Sequence, residues 1–576
     1  MNTVVRPRAI VRLPLWRSRL SLALLLLCFG VLIGRAVYLQ GWRNDFLKQE
    51  GQSRYSRVIQ IPATRGMITD RNGEPLAIST PVESVWASPP DVRMDDGKLK
   101  QLAQILGMSA AAITRRLDDR HREFVYLKRQ MPPEQARRAE NLGIPGIFLQ
   151  REYRRYYPEG AVTAQIVGLT GVDDNGQEGL ELAYQKWLAG QPGSRRVIKD
   201  RLGHIIEDVE SIRAPREGHA LTLSIDSRIQ YLAFRELKAA VTAHHAKDGS
   251  IVVLDVRTGE VLAMGSVPSY NPNNRSELDP GRARNRSITD EYEPGSTLKP
   301  FTIAAALQAG IVTPDTRIQT APGTLTIDGH TIHDAERENI LTVAQVIQKS
   351  SNVGASKIAL QMKPKQMWDM FHAVGFGMPP HLSFPGEASG KVRPYRTWRP
   401  IGQATMSFGN GITVSLLQLA RAYMIFATNG HIKPVTLIKH DTPEAGVSVI
   451  SPKVAREVRR MLQMVVGPEG TAPRAQVVGY QVAGKTGTAH KVVDGHYSPN
   501  RYVASFIGFA PASNPRLIIA VMIDEPKGVY YGGLVAAPVF QQVMTGALRI
   551  YDVPHDAPMN NIVLPPPGAA VVKEDA

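Results

Sequence analysis

Apolar residues dominate one early stretch, Leu20–Leu39, "LSLALLLLCFGVLIGRAVYL", twenty residues with one charge, Arg35. A helix of that length rises about 30 Å, enough to cross the hydrocarbon core of a bilayer. The pattern then changes. Residues 41–215 mix short strand-like runs with charged helical ones, such as Lys98–Leu106 and Pro133–Asn141. From Leu221 the texture is that of a packed domain. "LTLSIDSRIQYLAFRELKAAV" predicts a short strand and an amphipathic helix, and "SIVVLDVRTGEVLAMGSV" predicts two strands hinged at Arg257–Thr258–Gly259. Near the end, "RYVASFIGFAP" and "RLIIAVMIDEP" flank the turn "ASNP". Strands at both ends of this region, with helical sequence between them, predict an antiparallel sheet closed by its first and last segments and flanked by helices. The fold class is therefore α+β. From about Pro554 the chain reads as a flexible tail. No repeat of 20–50 residues is visible.

A chain of 576 residues is too long for one ordinary core. The predicted segments are a tail (1–19), a membrane span (20–39), an intermediate region (40–215), a packed domain (216–553) and a terminal tail (554–576). A formal net charge of +16 raises nucleic acid as a partner, but no zinc pattern, Walker loop or aromatic RNA-binding motif accompanies it. The reading is no nucleic acid, with an anionic membrane surface or polymer in its place. Basic residues crowd into Arg115–Arg155, read as a solvated face, the sharper alternative being a docking surface for an acidic partner or the membrane. Cys28 is the single cysteine, so no disulfide forms within the chain and a cysteine metal site is excluded.

Residues 1–19 hold five arginines and no acid, while Asp45 and Glu50 follow the apolar run. That asymmetry predicts a cytoplasmic N-terminus with the bulk of the chain outside. Gly34–Arg35–Ala36 is a poor cleavage site, so an uncleaved signal anchor is expected rather than a removed signal peptide. Gly30 and Gly34 form a small-xxx-small step that suits close packing against another membrane helix.

Chemistry enters at "EPGSTLKPF", Glu293–Phe301. Ser296 is the only serine with a lysine three residues on, and on a helix that pair shares a face. Ser-x-Asn occurs three times, at Ser269, Ser350 and Ser498, and only the Ser350–Asn352 copy lies between Ser296 and the single "KTGT", Lys485–Thr488. Each part has a physical use. A serine hydroxyl is inert until a base removes its proton. Lys299 serves if desolvation and a second cation, Lys485, favour its neutral form. The Ser296 N–H, with one from the Lys485–Thr488 strand, makes an oxyanion hole. Ser350 can carry a proton between an amine and a leaving nitrogen, and Asn352 can orient an amide. Gly487 leaves room for a substrate peptide to lie as an added strand, and the hydroxyls of Thr486 and Thr488 suit a carboxylate. Together they describe acyl transfer through an ester on Ser296. No metal or cofactor is needed. His330 and His333 in "HTIH" lack a third ligand pattern and read as loop histidines. His244 and His245 read as a helix end.

These motifs resemble those of class B penicillin-binding proteins, in their division-specific peptidoglycan transpeptidase group. "RGMITDRNGEPLA" (65–77), "RRYYPEG" (154–160), "GQEGLE" (176–181) and "KDRLGH" (199–204) resemble the motifs of that family's non-catalytic pedestal, or dimerisation, domain. "EPGSTLKPF", "KSSNVG", "SFGNGITVSLLQLARAY" (407–423), "AGKTGTA" (483–489) and "YYGGLVAAPVF" (530–540) resemble its transpeptidase domain. The resemblance implies an elongated pedestal over 40–215 and a catalytic domain over 216–553. It makes Ser296 the acylated nucleophile and Lys299 its base, with Ser350, Asn352, Lys485, Thr486, Gly487 and Thr488 lining the cleft. One departure is Asn410 in "SFGNG", where many relatives carry an aromatic. Implied substrates are peptidoglycan stem peptides, with β-lactams as acylating inhibitors. Implied partners are a membrane-embedded SEDS-type glycan polymerase and other divisome proteins, at the inner membrane of the division site. The alternatives are an elongation-type transpeptidase, a D,D-carboxypeptidase or β-lactamase-like hydrolase, and a non-catalytic scaffold.

Overall fold

The computed structural model describes residues 14–43, 56–199, 205–440, 442 and 444–564. Helix α1 (Leu15–Val37) has 23 residues and buries none of them. At 1.5 Å per residue it is about 35 Å long, and it is the one described helix apolar and long enough to cross a membrane. It begins within the stretch expected as a tail, because Leu15 and Trp16 extend the apolar face ahead of Arg17 and Arg19. Residues 1–13, and the acids Asp45 and Glu50, lie outside the described residues.

The rest divides into two compact units. The first gathers 1–63, 81–152 and 191–216. It holds an antiparallel sheet of Ser56–Ile61, Gly193–Lys199 and Ile205–Arg213, in that order. It also holds a small core in which Leu102, Leu106, Ile113, Leu127 and Ala136 are buried. The helices expected from Lys98 and Pro133 are present as Asp96–Leu106 and Pro133–Glu140, the first capped by Asp95 accepting from the Lys98 N–H. Of the "KDRLGH" motif, residues 200–204 lie outside the described residues.

The second unit gathers 64–80, 153–190 and 217–576. Its two early segments are joined by a buried ion cluster built from three of the motifs above. Arg65 Nε donates to Glu181 Oε2 at 2.5 Å and Arg155 Nε donates to Glu181 Oε1 at 2.6 Å. Arg65 Nη2 reaches the Glu181 carbonyl at 2.7 Å, and Arg155 Nη2 reaches that of Gly66 at 2.7 Å.

The centre of this unit is a five-stranded antiparallel sheet of β1 (Asp248–Asp255), β2 (Val261–Val267), β3 (Ala483–Val493), β4 (His496–Ala510) and β5 (Leu517–Asp524), in the order β2-β1-β5-β4-β3. The first segment pairs with the last, Val252 opposite Ala520, as the sequence predicts. Every residue of β1, β2 and β5 is buried, which explains their unbroken apolar runs: helices cover both faces. Helices α2 (Ser227–Ala243) and α6 (Ala537–Ile550) pack together and on the sheet, while α3 (Lys299–Gln308), α4 (Asn352–Ala359) and α5 (Pro452–Val466) form a second group. Strand β3 stands at the edge, which sets the site beside it.

The tail is pinned where flexibility was expected. Asn561 accepts from the Gly479 N–H at 3.0 Å and donates to the carbonyls of Val477 (3.0 Å) and Tyr480 (2.9 Å). Asp556 accepts from the Gln481 N–H at 2.7 Å. The described part of the tail is thus held as far as Val563, whose N–H donates to Gln476 Oε1 at 2.8 Å, and residues 565–576 lie outside the described residues. Its polar and proline-rich composition hid two side chains that satisfy the backbone leading into β3.

Candidate active site

Ser296 sits on a tight 3₁₀ turn, Gly295–Leu298, that runs into α3. Residues three apart eclipse on such a turn, and the Lys299 Nζ accordingly lies 2.9 Å from the Ser296 Oγ. The sequence predicts a shared face on an α-helix; the tighter turn brings the pair into direct contact. Three bonds fix it. Thr297 Oγ1 donates to the Pro294 carbonyl at 2.7 Å, the buried Tyr423 hydroxyl donates to the Thr297 carbonyl at 2.7 Å, and Thr302 Oγ1 donates to the Ser407 carbonyl at 2.9 Å. Beneath them Phe301 packs against Phe376, Tyr423 and Phe426.

A second hydroxyl closes the circuit. Lys299 Nζ lies 3.1 Å from the Ser350 Oγ and also donates to the Ser350 carbonyl. From the other side Lys485 Nζ reaches the same Oγ at 2.9 Å and Thr486 Oγ1 at 3.2 Å. Lys299 and Lys485 are both fully buried. Ser350 has φ +62°, a left-handed conformation that costs a non-glycine residue on the order of 1 kcal/mol. The following residues hold it there. Ser351 Oγ donates to Asp334 Oδ2 at 2.6 Å, the Val353 N–H donates to Asp334 Oδ1 at 2.9 Å, and Asn352 Nδ2 donates to the His333 carbonyl at 3.2 Å. His330 and His333 stand on a short strand, not in a loop, and no group of metal-ligating side chains forms among the described residues.

Strand β3 supplies Lys485 through Thr488, all buried. A Cβ on Gly487 would meet Ser505 Oγ at 2.5 Å, Thr297 Cγ2 at 2.9 Å and the Pro294 carbonyl at 3.0 Å. The missing side chain thus lets the Ser296 turn approach the strand, where sequence reasoning assigns the space to substrate. Thr486 Oγ1 is 2.7 Å from Thr471 Oγ1, and Thr488 Oγ1 accepts from the Gly532 N–H at 3.1 Å. Hydrogen bonds thus join Ser296, Lys299, Ser350, Lys485 and Thr486, and Gly487 lies against the Ser296 turn, while Asn352 and Thr488 adjoin them in the chain and bond to His333 and Gly532.

Sequence reasoning misses several supports. Glu293 accepts from the Gly411 N–H at 2.8 Å and from the Tyr497 hydroxyl at 3.0 Å, and desolvation raises its pKa above the usual carboxylate value. The Asn410 side chain stands beside that same Tyr497 hydroxyl. Tyr497 arrives on a hairpin whose turn, Asp494–Gly495, has φ +51° and +81°. Asp-Gly between apolar runs is a hairpin signal, readable but unread. Asp334 and Tyr423 leave no local signal, because their partners are 17 or more residues away.

A sheet with a lysine-bearing edge strand, set against a turn that carries serine and lysine in contact, defines a serine acyltransferase of the Ser/Lys type. Residues 60–223 match the family described as penicillin-binding protein dimerisation domain, and residues 249–545 match the penicillin-binding protein transpeptidase domain. The chain belongs to this two-domain family of penicillin-binding proteins. It is 44% identical over 550 residues to the peptidoglycan D,D-transpeptidase FtsI of Escherichia coli (strain K12), covering 94% of this chain and 93% of that one. It is 43% identical over 544 residues to the probable peptidoglycan D,D-transpeptidase PbpC of Pseudomonas aeruginosa, covering 94% and 96%. Among solved structures, the apo transpeptidase domain of penicillin-binding protein 3 from Burkholderia pseudomallei is 49% identical, with TM-score 0.54, over 58% of this chain and 98% of that one. A peptidoglycan synthetase from Bifidobacterium adolescentis shares the fold, with TM-score 0.70 and 24% identity, over 88% of this chain and 99% of that one.

Proposed function

We propose that this chain is a division-specific peptidoglycan D,D-transpeptidase that cross-links stem peptides through a serine ester, and that β-lactams acylate the same serine. The observation that carries the reading is the continuous run Ser296 Oγ, Lys299 Nζ, Ser350 Oγ, Lys485 Nζ, with steps of 2.9, 3.1 and 2.9 Å. Burial of Lys299 and a second amine one hydroxyl away both work against its ammonium form. The neutral amine takes the Ser296 proton as Oγ attacks the carbonyl carbon of the D-Ala–D-Ala bond. The oxyanion is met by the Ser296 N–H and an N–H of β3; one such donor is typically worth about 10²–10³ in rate. As the C–N bond breaks, the leaving D-alanine nitrogen takes a proton through Ser350, refilled from Lys299. An acceptor amine then attacks the ester and returns Ser296 its proton, so the cycle closes without a cofactor.

In this proposal residues 216–553 carry the chemistry, 40–215 act as a non-catalytic pedestal, and α1 anchors the chain in the inner membrane with its N-terminus cytoplasmic. The basic start, the apolar helix and the likeness to FtsI support that placement and suit partnership with a SEDS-type polymerase and divisome proteins.

The test is exchange at the septum. In cells dependent on this chain, Ser296→Ala protein at normal abundance is expected to lose septal cross-links and release no D-alanine in vitro. Undiminished cross-linking by that variant would favour a scaffold. Rapid turnover of a penicillin would favour a hydrolase.

A further inference from the structure

Beside the Ser296 turn opens a cavity of about 700 Å³, within the size range of ligand sites. Ser296 is not in its wall, but Glu293, Gly411 and Ala489, which adjoin the turn, are. Most cations on the wall are matched. Arg284 lies 3.0 Å from Asp290, Arg286 lies 3.5 Å from Asp248, and Lys491 pairs with Asp524. Lys391 and Arg393 differ: both are exposed on the cavity wall, and neither has a carboxylate within ion-pair reach among the described residues. The nearby carboxylates are already engaged by neutral donors. Glu291 accepts from the Gly390 N–H at 3.0 Å and from Thr413 Oγ1 at 2.7 Å, and Glu293 accepts from Gly411 and Tyr497. The edge strand leads there. Strand β3 runs from Lys485–Thr488 into the wall at Ala489–Val492, about 3.3 Å per residue. A peptide added to that edge with its reacting carbonyl at Ser296 therefore reaches the cavity within two or three residues.

From this we propose that the cavity is a substrate subsite for a carboxylate-bearing residue of the peptide, held by Lys391 and Arg393. The inference rests on the transpeptidase reading and adds to it a charge preference at a position remote from the bond that breaks. Carboxylate recognition by exposed cations also implies salt dependence, since such pairs are screened at high ionic strength.

The test uses the full-length protein and two synthetic pentapeptides ending in D-Ala–D-Ala, one with its internal side-chain carboxylate free and one with that carboxylate amidated. Active sites are counted with a fluorescent penicillin, and kcat/KM for D-alanine release is measured for each peptide. Wild type is expected to prefer the free carboxylate by about tenfold, and the doubly substituted Lys391→Gln, Arg393→Gln protein to fall within about twofold of no preference. Lys391→Glu is expected to turn the preference toward the amide. Both lysine and arginine are exposed, so folding is not at stake. A wild-type ratio near one, or a ratio unchanged in the double variant, overturns the subsite while leaving the transpeptidase standing. Absence of penicillin labelling overturns both.

Discussion

Two buried clusters of basic side chains in the second unit invite comparison. Around Glu181, two guanidiniums, Arg65 and Arg155, close on the two oxygens of one carboxylate at 2.5 and 2.6 Å. Around Ser350, two lysine amines meet hydroxyl and carbonyl oxygens. Arginine keeps its charge under all ordinary conditions, whereas a desolvated lysine can give up its proton. The first cluster is thus a fixed joint in which opposite charges meet. In the second, two buried ammonium ions side by side would be costly to desolvate, which in the proposed mechanism favours the neutral form of Lys299. The proposed chemistry sits where no carboxylate is seen to meet the amines among the described residues.

Substitutions separate the two. Ser296→Ala removes the acylated oxygen, and penicillin labelling is expected to fall by at least about 10⁴-fold, read by stopped-flow fluorescence. Lys299→Arg sets a fixed cation beside Lys485 and offers no base, so acylation is expected to slow by about 10²–10⁴ and the thermal midpoint to fall. The joint answers differently. Glu181→Gln leaves two buried guanidiniums poorly matched and is expected to cost about 3–5 kcal/mol in denaturant unfolding, while folded protein still labels with penicillin at low temperature. Tyr423→Phe keeps the ring and loses one buried bond to Thr297, costing about 1–2 kcal/mol and slowing acylation several-fold.

The smallest effect concerns Asp174, next to the arginine joint. Burial raises its pKa to about 6, and its Oδ1 has no hydrogen-bond partner. A carboxyl whose folded pKa lies above its unfolded value of about 3.9 penalises the folded state once ionised. Wild-type stability should therefore rise as pH falls from 7 through 6 towards 4. Asp174→Asn, at a φ of +59° that asparagine tolerates, is expected to stabilise the protein by about 1 kcal/mol at pH 7. The gain should vanish near pH 4 in unfolding titrations.

How much of this was legible beforehand depends on the range of the interaction. The sheet and its closure were readable because β1 and β5 carry unbroken apolar runs with turn residues between strands. The candidate site was readable because Ser296, Ser350 and Lys485 stand in short local motifs. What the chain did not announce is mostly long-range. The left-handed Ser350 is held by Asp334, and the absence of a Gly487 side chain serves Thr297 and Pro294, on a turn far back in the chain. The tail misled for the converse reason. Pro554 and Pro558 speak of flexibility, while Asp556 and Asn561 satisfy the approach to β3.

In the proposed mechanism one neutral amine, that of Lys299, activates one alcohol, Ser296, for acyl transfer. Intact-mass analysis of the full-length protein after brief exposure to benzylpenicillin, followed by peptide mapping, tests it most directly. A gain of one penicilloyl group is expected, on the peptide that contains Ser296, and none in the Lys299→Arg protein over the same interval. An unmodified mass, or an adduct on another residue, would contradict it.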